Sequence, residues 1–374
     1  MRTLRIQQKY ANHLIRKEKE KMKKKIAMSL AVALLVTIFA GCSGKPSTSE
    51  PPTTSNKPGE STVTEPNPVT IRALFTSAET LETAKIVGQM YKAIEEKSEG
   101  KIKFEITYNA STVFAGESEL LSMVRNGSAD IANISPTYFN AYADEIDVTS
   151  WPYVFESSQH IFDYFNSDIA KELVGKIESG AGVHMITPAY MGVRNLSTKA
   201  TPVRTPADLK GLKIRCMDSN IYVAGTEAMG ATAVPIPYSE LYFSLQTNVA
   251  DGQENQMSTI NESKVYEVQS YICKTAHLYA INLFVANADF WNKLDPSYQQ
   301  IITEVMKDYM ENIYREKVDE IDAEYEKGFV DYGVTIIDDV DTKAFVDQCG
   351  SVFKDRYSDK ANWLALYDQI KSVA

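Results

Sequence analysis

Residues 234–255 read "VPIPYSELYFSLQTNVADGQEN", and the fold turns on how that stretch is understood. An amphipathic run, "YSELYFSLQTNV", leads straight into "ADGQENQ" at residues 250–256. There Asp251, Gln253, Glu254, Asn255 and Gln256 crowd into one short segment. Taken alone, such a cluster is a solvated turn. The flanking sequence decides whether it is something more.

Upstream, the chain alternates strands with amphipathic helices. "VTIRALF" reads as a strand, and Leu81, Ala84, Val87, Tyr91 and Ile94 give a helical face that Gly100 stops. "KIKFEITY" alternates Ile102, Phe104, Ile106 and Tyr108 as a strand with one covered face. A helix from Glu117 to Arg125 then precedes the short strand "ADIANIS". Further strands are expected at Val183 to Pro188, Leu212 to Arg215 and Ala276 to Val285. The class is α/β. Asp295-Pro296 supplies a cap and a first-turn proline, and neither Gly nor Pro follows until Gly328. A helix of that length, about 48 Å, outreaches one small lobe and is expected to cross between two. Two helices joined at an unmarked kink are the alternative.

At the other end, "MKKKIAMSLAVALLVTIFAGC" from Met22 has a basic start, an apolar stretch from Ile26 to Phe39 and small residues before Cys42. That is a secretory signal peptide whose end resembles a bacterial lipobox, with Phe39 in place of the usual Leu. Residues 1–41 are therefore expected to be the signal, with Met22 as initiator, and Cys42 to be lipidated. Residues 42–68 form a tether: from Ser43 on they hold ten Ser or Thr and six Pro. Such a coil buries too little surface to fold and reaches roughly 28 Å.

Charge narrows the partners. The chain carries −10, and the basic leader through Gly41 contributes +8, leaving −18 on the mature protein. That argues against nucleic acid and requires local positive groups to hold any anion. Cys216, Cys273 and Cys349 are an odd number in an exported chain and allow one disulfide at most. There is no H-E-x-x-H, P-loop or G-x-S-x-G, and His160, His184 and His277 are far apart in sequence. The reading is not an enzyme; the competing lipoprotein hydrolase would have to show turnover.

Two further stretches join the opening one. "MGVRNLS" places Arg194 after a strand, and "TPADLKGLKIRCM" caps a short helix at Thr205-Pro206, ends it at Gly211 and sets Arg215 late in a strand. In this order, G-x-R-N, D-L-K-G-L-K-I-R and the 234–255 motif resemble the extracytoplasmic solute-binding proteins of TRAP transporters, the DctP family, from about Val69 to the C-terminus. The resemblance implies a two-lobe periplasmic-binding-protein-like α/β fold with a cleft and a long bridging helix. One lobe would be 69–191 plus about 281–320, the other about 192–280 plus 321–374. It also implies a monomer that closes on a small carboxylate-bearing solute, with no cofactor or metal, and hands it to the transporter's membrane subunits.

Residue by residue, Arg215 matches the family arginine that takes the carboxylate, a task suited to its planar fork. Arg194 matches a supporting arginine. Asn255 matches the amide that shares the carboxylate, donating without adding charge, and residues 251–254 are expected to be the turn that aims it. Tyr238 falls where the family sets an aromatic against the ligand. Ser135, Trp151 and Glu117 are further pocket candidates. Sialic-acid binders of the family carry Glu at the position of Ser135 and Asn at that of Met191. These departures point instead to small dicarboxylates or sugar acids such as uronates. Cys216-Met217 and Gln256 depart from the family's Val-Pro and Pro. A lipoprotein of the same fold that presents its ligand to a signalling receptor is the alternative role.

Overall fold

The computed structural model describes residues 66–114 and 116–373, which leaves the signal peptide, Cys42 and most of the tether outside the described residues. Among the described residues nine strands form one sheet: β1 (Val69–Leu74), β2 (Ile102–Thr107), β3 (Ile131–Ile134), β4 (Val183–Thr198), β5 (Lys213–Cys216), β6 (Thr232–Pro235), β7 (Gly252–Gln256), β8 (Tyr271–Asn287) and β9 (Thr335–Ile337). Their order is β2-β1-β3-β8-β4-β7-β5-β6, with β9 on β8. The parallel pair β1–β2 is linked by the helix Glu82–Lys97, whose buried Ala84, Val87, Tyr91 and Ile94 are those of the predicted face. Gly100 closes the turn after it at φ +77°.

β4 and β8 decide the architecture, because each runs far beyond the short strand expected of it. The start of β4, Val183–Tyr190, pairs with the end of β8, which also borders β3. The end of β4, Arg194–Thr198, pairs with the start of β8 and with β7. A β1–β3 side and a β5–β7 side are thus joined through two strands. Register shifts at Met185/Thr187, Tyr190/Gly192 and Arg194/Leu196 interrupt the ladder, and such bulges break the alternation that would have marked both strands in sequence.

The long helix starts at Pro296 behind Asp295, whose carboxylate accepts the Ser297 N–H, and it continues past Gly328 to Tyr332. It is one helix rather than two joined at a kink, and it carries a π-helical segment over Tyr309–Tyr314. Its first part packs on the helix Glu82–Lys97 and its last part on the helix Met257–Glu262 and β9, so it bridges the two sides. A main core spans the sheet, and a smaller one gathers Leu241, Leu245, Met257, Ile260 and Phe329. Cys216, Cys273 and Cys349 are all free and buried. Among the described residues no helix is long and apolar enough to cross a membrane.

Candidate functional site

The polar cluster is a buried strand rather than a turn. Gly252–Gln256 is β7, wedged antiparallel to β4 and parallel to β5. Asp251 fixes its entry by accepting the Lys213 N–H at 2.9 Å. Gly252 permits the wedge, since a Cβ there would lie 2.4 Å from the Ser197 carbonyl oxygen and 3.0 Å from Ile214 Cδ1. Gly252→Ala is accordingly expected to destabilise the protein by about 1–3 kcal/mol or more, the scale of an overpacked interior, measurable by urea unfolding.

Strand alternation then sorts the cluster. Glu254 and Gln256 turn to Arg194. The guanidinium donates from Nε to Glu254 Oε2 at 2.5 Å, from Nη2 to Glu254 Oε1 and the Glu254 carbonyl, each at 2.8 Å, and from Nη1 to Gln256 Oε1 at 3.0 Å. Tyr222 lies under it, 5.3 Å from ring centre to Cζ. His277 adds its Nε2 at 3.3 Å from Glu254 Oε2, with Nδ1 held by Thr275 Oγ1 at 2.9 Å. The β8 bulge that aims His277 is strained: Ala276 sits at φ +45°, its N–H bound to Asn195 Oδ1 at 3.0 Å. Burial alone would raise the Glu254 carboxyl, but the Arg194 charge and the hydrogen bonds from His277 and Arg194 outweigh it and hold it at about 2. Burial lowers His277, which keeps its ring neutral. Arg194 is therefore internally neutralised.

Arg215 is not. It is 2% exposed, its Nε donates to the Ile236 carbonyl at 2.9 Å, and its two Nη groups have no hydrogen-bond partner among the described residues. Burial lowers its pKa, and the neighbouring Arg194 pushes the same way against the opposing Glu254. Its register partner on β7 is Gln253, which shares a face with Asn255. Asn255 is buried, and its Nδ2 donates to Gln253 Oε1 at 2.6 Å, while Gln253 Nε2 donates to Ser197 Oγ at 2.8 Å. Tyr238, 46% exposed, stands close enough to feel the Arg215 charge. Two unpaired Nη groups, an amide on the neighbouring strand and a half-exposed tyrosine are the chemistry that can receive a planar anion.

Glu117 and Ser135 form a second group on the β1–β3 side. Ser135 N–H donates to Glu117 Oε2 at 2.6 Å, and Glu117's charge reaches Tyr138 and Tyr222. Burial raises the Glu117 carboxyl to about 7 in spite of that hydrogen bond. Its ionised form is thus disfavoured in the fold, a penalty absent below its ordinary range near pH 4.5 and complete above pH 7. Glu117→Gln keeps an acceptor for Ser135, so the variant is expected to melt higher than the native protein at pH 8, with the gap closing by pH 5. Trp151 belongs elsewhere. It is fully buried against Phe353 and Tyr357, its Nε1 donating to the Cys349 carbonyl at 3.2 Å, so it supports the C-terminal helices rather than this site. Met191 faces the long helix, with Sδ 3.9 Å from Tyr314 Oη. Glu254, His277 and Tyr222 were not expected from sequence. The one available signal was an acidic residue two positions past a glycine in a stretch that can pair between strands.

The likeness to known proteins extends over the whole described fold. The family model for bacterial extracellular solute-binding proteins, family 7 (DctP), matches residues 74–360. The 2,3-diketo-L-gulonate-binding periplasmic protein YiaO of Escherichia coli K12 is 29% identical over 264 residues, 71% of this chain and 79% of that protein. The C4-dicarboxylate-binding protein DctB of Bacillus subtilis is 29% identical over 237 residues, 61% of this chain and 66% of its own. Among solved structures, a TRAP periplasmic solute-binding protein of Chromohalobacter salexigens with bound D-glucuronate superposes with a TM-score of 0.74 at 25% identity, covering 81% of this chain and 100% of that one. One from Actinobacillus succinogenes with bound L-galactonate gives 0.71 at 26%, with the same coverages. On the extent of the family match and the shared architecture, the chain belongs to the DctP family of extracellular solute-binding proteins of TRAP transporters, which bind substrate and are not enzymes.

Proposed function

We propose that this protein captures a sugar acid, a uronate or aldonate-like carboxylate, for uptake by TRAP membrane subunits. The observation that carries the reading is the contrast between the two arginines: Arg194 spends four of its five N–H donors on Glu254 and Gln256, while buried Arg215 keeps both Nη groups unpaired. A desolvated cation without a full set of partners is satisfied by a carboxylate. Arg215 takes its two oxygens, Asn255 donates to a remaining lone pair, and Tyr238 covers the ring. Glu117 and Ser135, on the other side of the sheet's junction, meet the hydroxyl groups. The relatives and the solved structures named above bind diketogulonate, glucuronate and galactonate, which favours hydroxylated acids over C4-dicarboxylates, although DctB's ligand keeps the latter in the screen.

Binding would draw the two sides together as lobes, 69–191 with about 281–320 against about 192–280 with 321–374. Gly192 is the hinge in β4: it holds φ +111° beside a register shift, and a Cβ there would meet Asp322 Oδ2 and Gln256 Cβ at 3.0 Å. The protein acts as a monomer, tethered at Cys42 to the membrane. A receptor-presenting role would use the same ligand and differ only in its partner. A thermal-melt series with uronates, aldonates, dicarboxylates, sialic acid and neutral sugars tests the reading. At a hundredfold excess over Kd the right acid adds about 2.7 kcal/mol, several degrees in Tm. A shift with neutral sugars and none with any acid would overturn it.

A further inference from the structure

A crevice of about 450 Å³ opens at the start of the helix Asn220–Ala228 and is lined by none of the residues assigned above. Its walls bring together Asp144, Asp147, Asn220, Tyr357, Lys360 and Trp363. Two of these are spent on each other. Asp144 Oδ2 accepts from Lys360 Nζ at 2.9 Å and from Trp363 Nε1 at 3.0 Å, and the same ammonium lies 3.8 Å over the Trp363 ring. Asp147 is different. It is 5% exposed, Oδ2 receives only a long 3.4 Å contact from Asn140 Nδ2, and Oδ1 is buried with no hydrogen-bond partner among the described residues. An orphaned buried carboxylate oxygen costs free energy until a donor reaches it, and a charged donor offsets the most. Tyr357 and Trp363, with ring centres 4.6 Å apart, give the crevice an aromatic wall. With Lys360 committed to Asp144, the second carboxylate leaves the crevice one negative charge in excess.

We propose that this crevice binds a small organic ammonium, its N–H donated to the Asp147 carboxylate and its alkyl part laid against Tyr357 and Trp363. Burial raises the Asp147 carboxyl to about 6, more than Asn140 and Lys360 lower it, as expected of a carboxylate short of a cation. Neutral polyols fit the volume but leave the excess charge in place, which is why the ammonium is favoured.

The test is isothermal titration of the intact protein with n-butylamine, using 1-butanol as the neutral analogue of the same length. The amine is expected to bind saturably at one site and the alcohol at least about tenfold more weakly. Asp147→Asn should weaken amine binding by about tenfold or more while leaving sugar-acid binding unchanged. Asn220→Lys, at an exposed position on the rim, should block the amine without touching the core, and it carries the test if the Asp147 variant does not fold. Equal affinity for amine and alcohol, absence of saturable amine binding, or full binding in Asn220→Lys would each overturn the proposal.

Discussion

Replacing Arg215 with alanine is expected to weaken sugar-acid binding by about 2–5 kcal/mol, roughly thirtyfold to several thousandfold, while leaving the ligand-free protein as stable as before or slightly more so. The two halves of that result have one cause. In the free protein the guanidinium is buried with a single hydrogen bond to the Ile236 carbonyl, and its desolvation is offset only by the nearby Glu254 charge, already engaged by Arg194. Removing it removes a cost. In the proposed complex the same guanidinium would supply two parallel charge-assisted bonds, and its loss would strand the ligand carboxylate in a dry cleft. Arg215→Lys should recover little, because an ammonium cannot reproduce the fork. Titration of both variants, with melting curves taken without ligand, checks the pair of expectations. Binding within about threefold of native in Arg215→Ala would remove the anchoring role, and a large drop in ligand-free melting temperature would make the residue structural instead.

Local pattern was enough for the β1–β3 side. The periodic face of Glu82–Lys97, the stop at Gly100, the helix Glu117–Arg125 and the cap at Asp295-Pro296 are all written in neighbouring residues. What failed is what depends on distant partners. β7 contains no β-branched or aromatic residue, and its Gln253, Glu254 and Asn255 are tolerable in a buried strand only because Ser197, Arg194 and His277 arrive to satisfy them. β4 and β8 were read short because their bulges at Gly192 and Ala276 break the alternation. The family motif singled out Arg215 and Asn255, and the structure sets both on neighbouring buried strands. The pairing of Glu254 with Arg194 was not, since a buried charge and its partner need not lie near each other in sequence. Trp151, named with the pocket candidates, packs in the core against Phe353 and Tyr357, a contact no local pattern announces.

Glu254 is the residue whose loss should damage the scaffold most. Glu254→Gln is expected to destabilise the protein by about 3–5 kcal/mol, lowering Tm by about 5–8 °C, because it leaves Arg194 buried with an uncompensated charge and turns an amide NH2 against donors of Arg194 or His277. The glutamine is nearly isosteric, so a cavity cannot account for the loss. Adding Arg194→Met should restore a large part of it, since a buried ion pair exchanged for apolar groups of similar size is often neutral. A double-mutant cycle by urea unfolding reads the coupling directly. The pH dependence has a fixed sign. Glu254 is held at about 2, below its ordinary 4.5, so its contribution is complete above pH 4.5 and fades as pH falls through 2. Native protein should therefore lose stability on acidification from pH 4.5 to 2 more steeply than the double variant does. If Glu254→Gln unfolds within about 1 kcal/mol of native, Arg194 does not depend on Glu254, and the ligand carboxylate would then have two free arginines to meet rather than one.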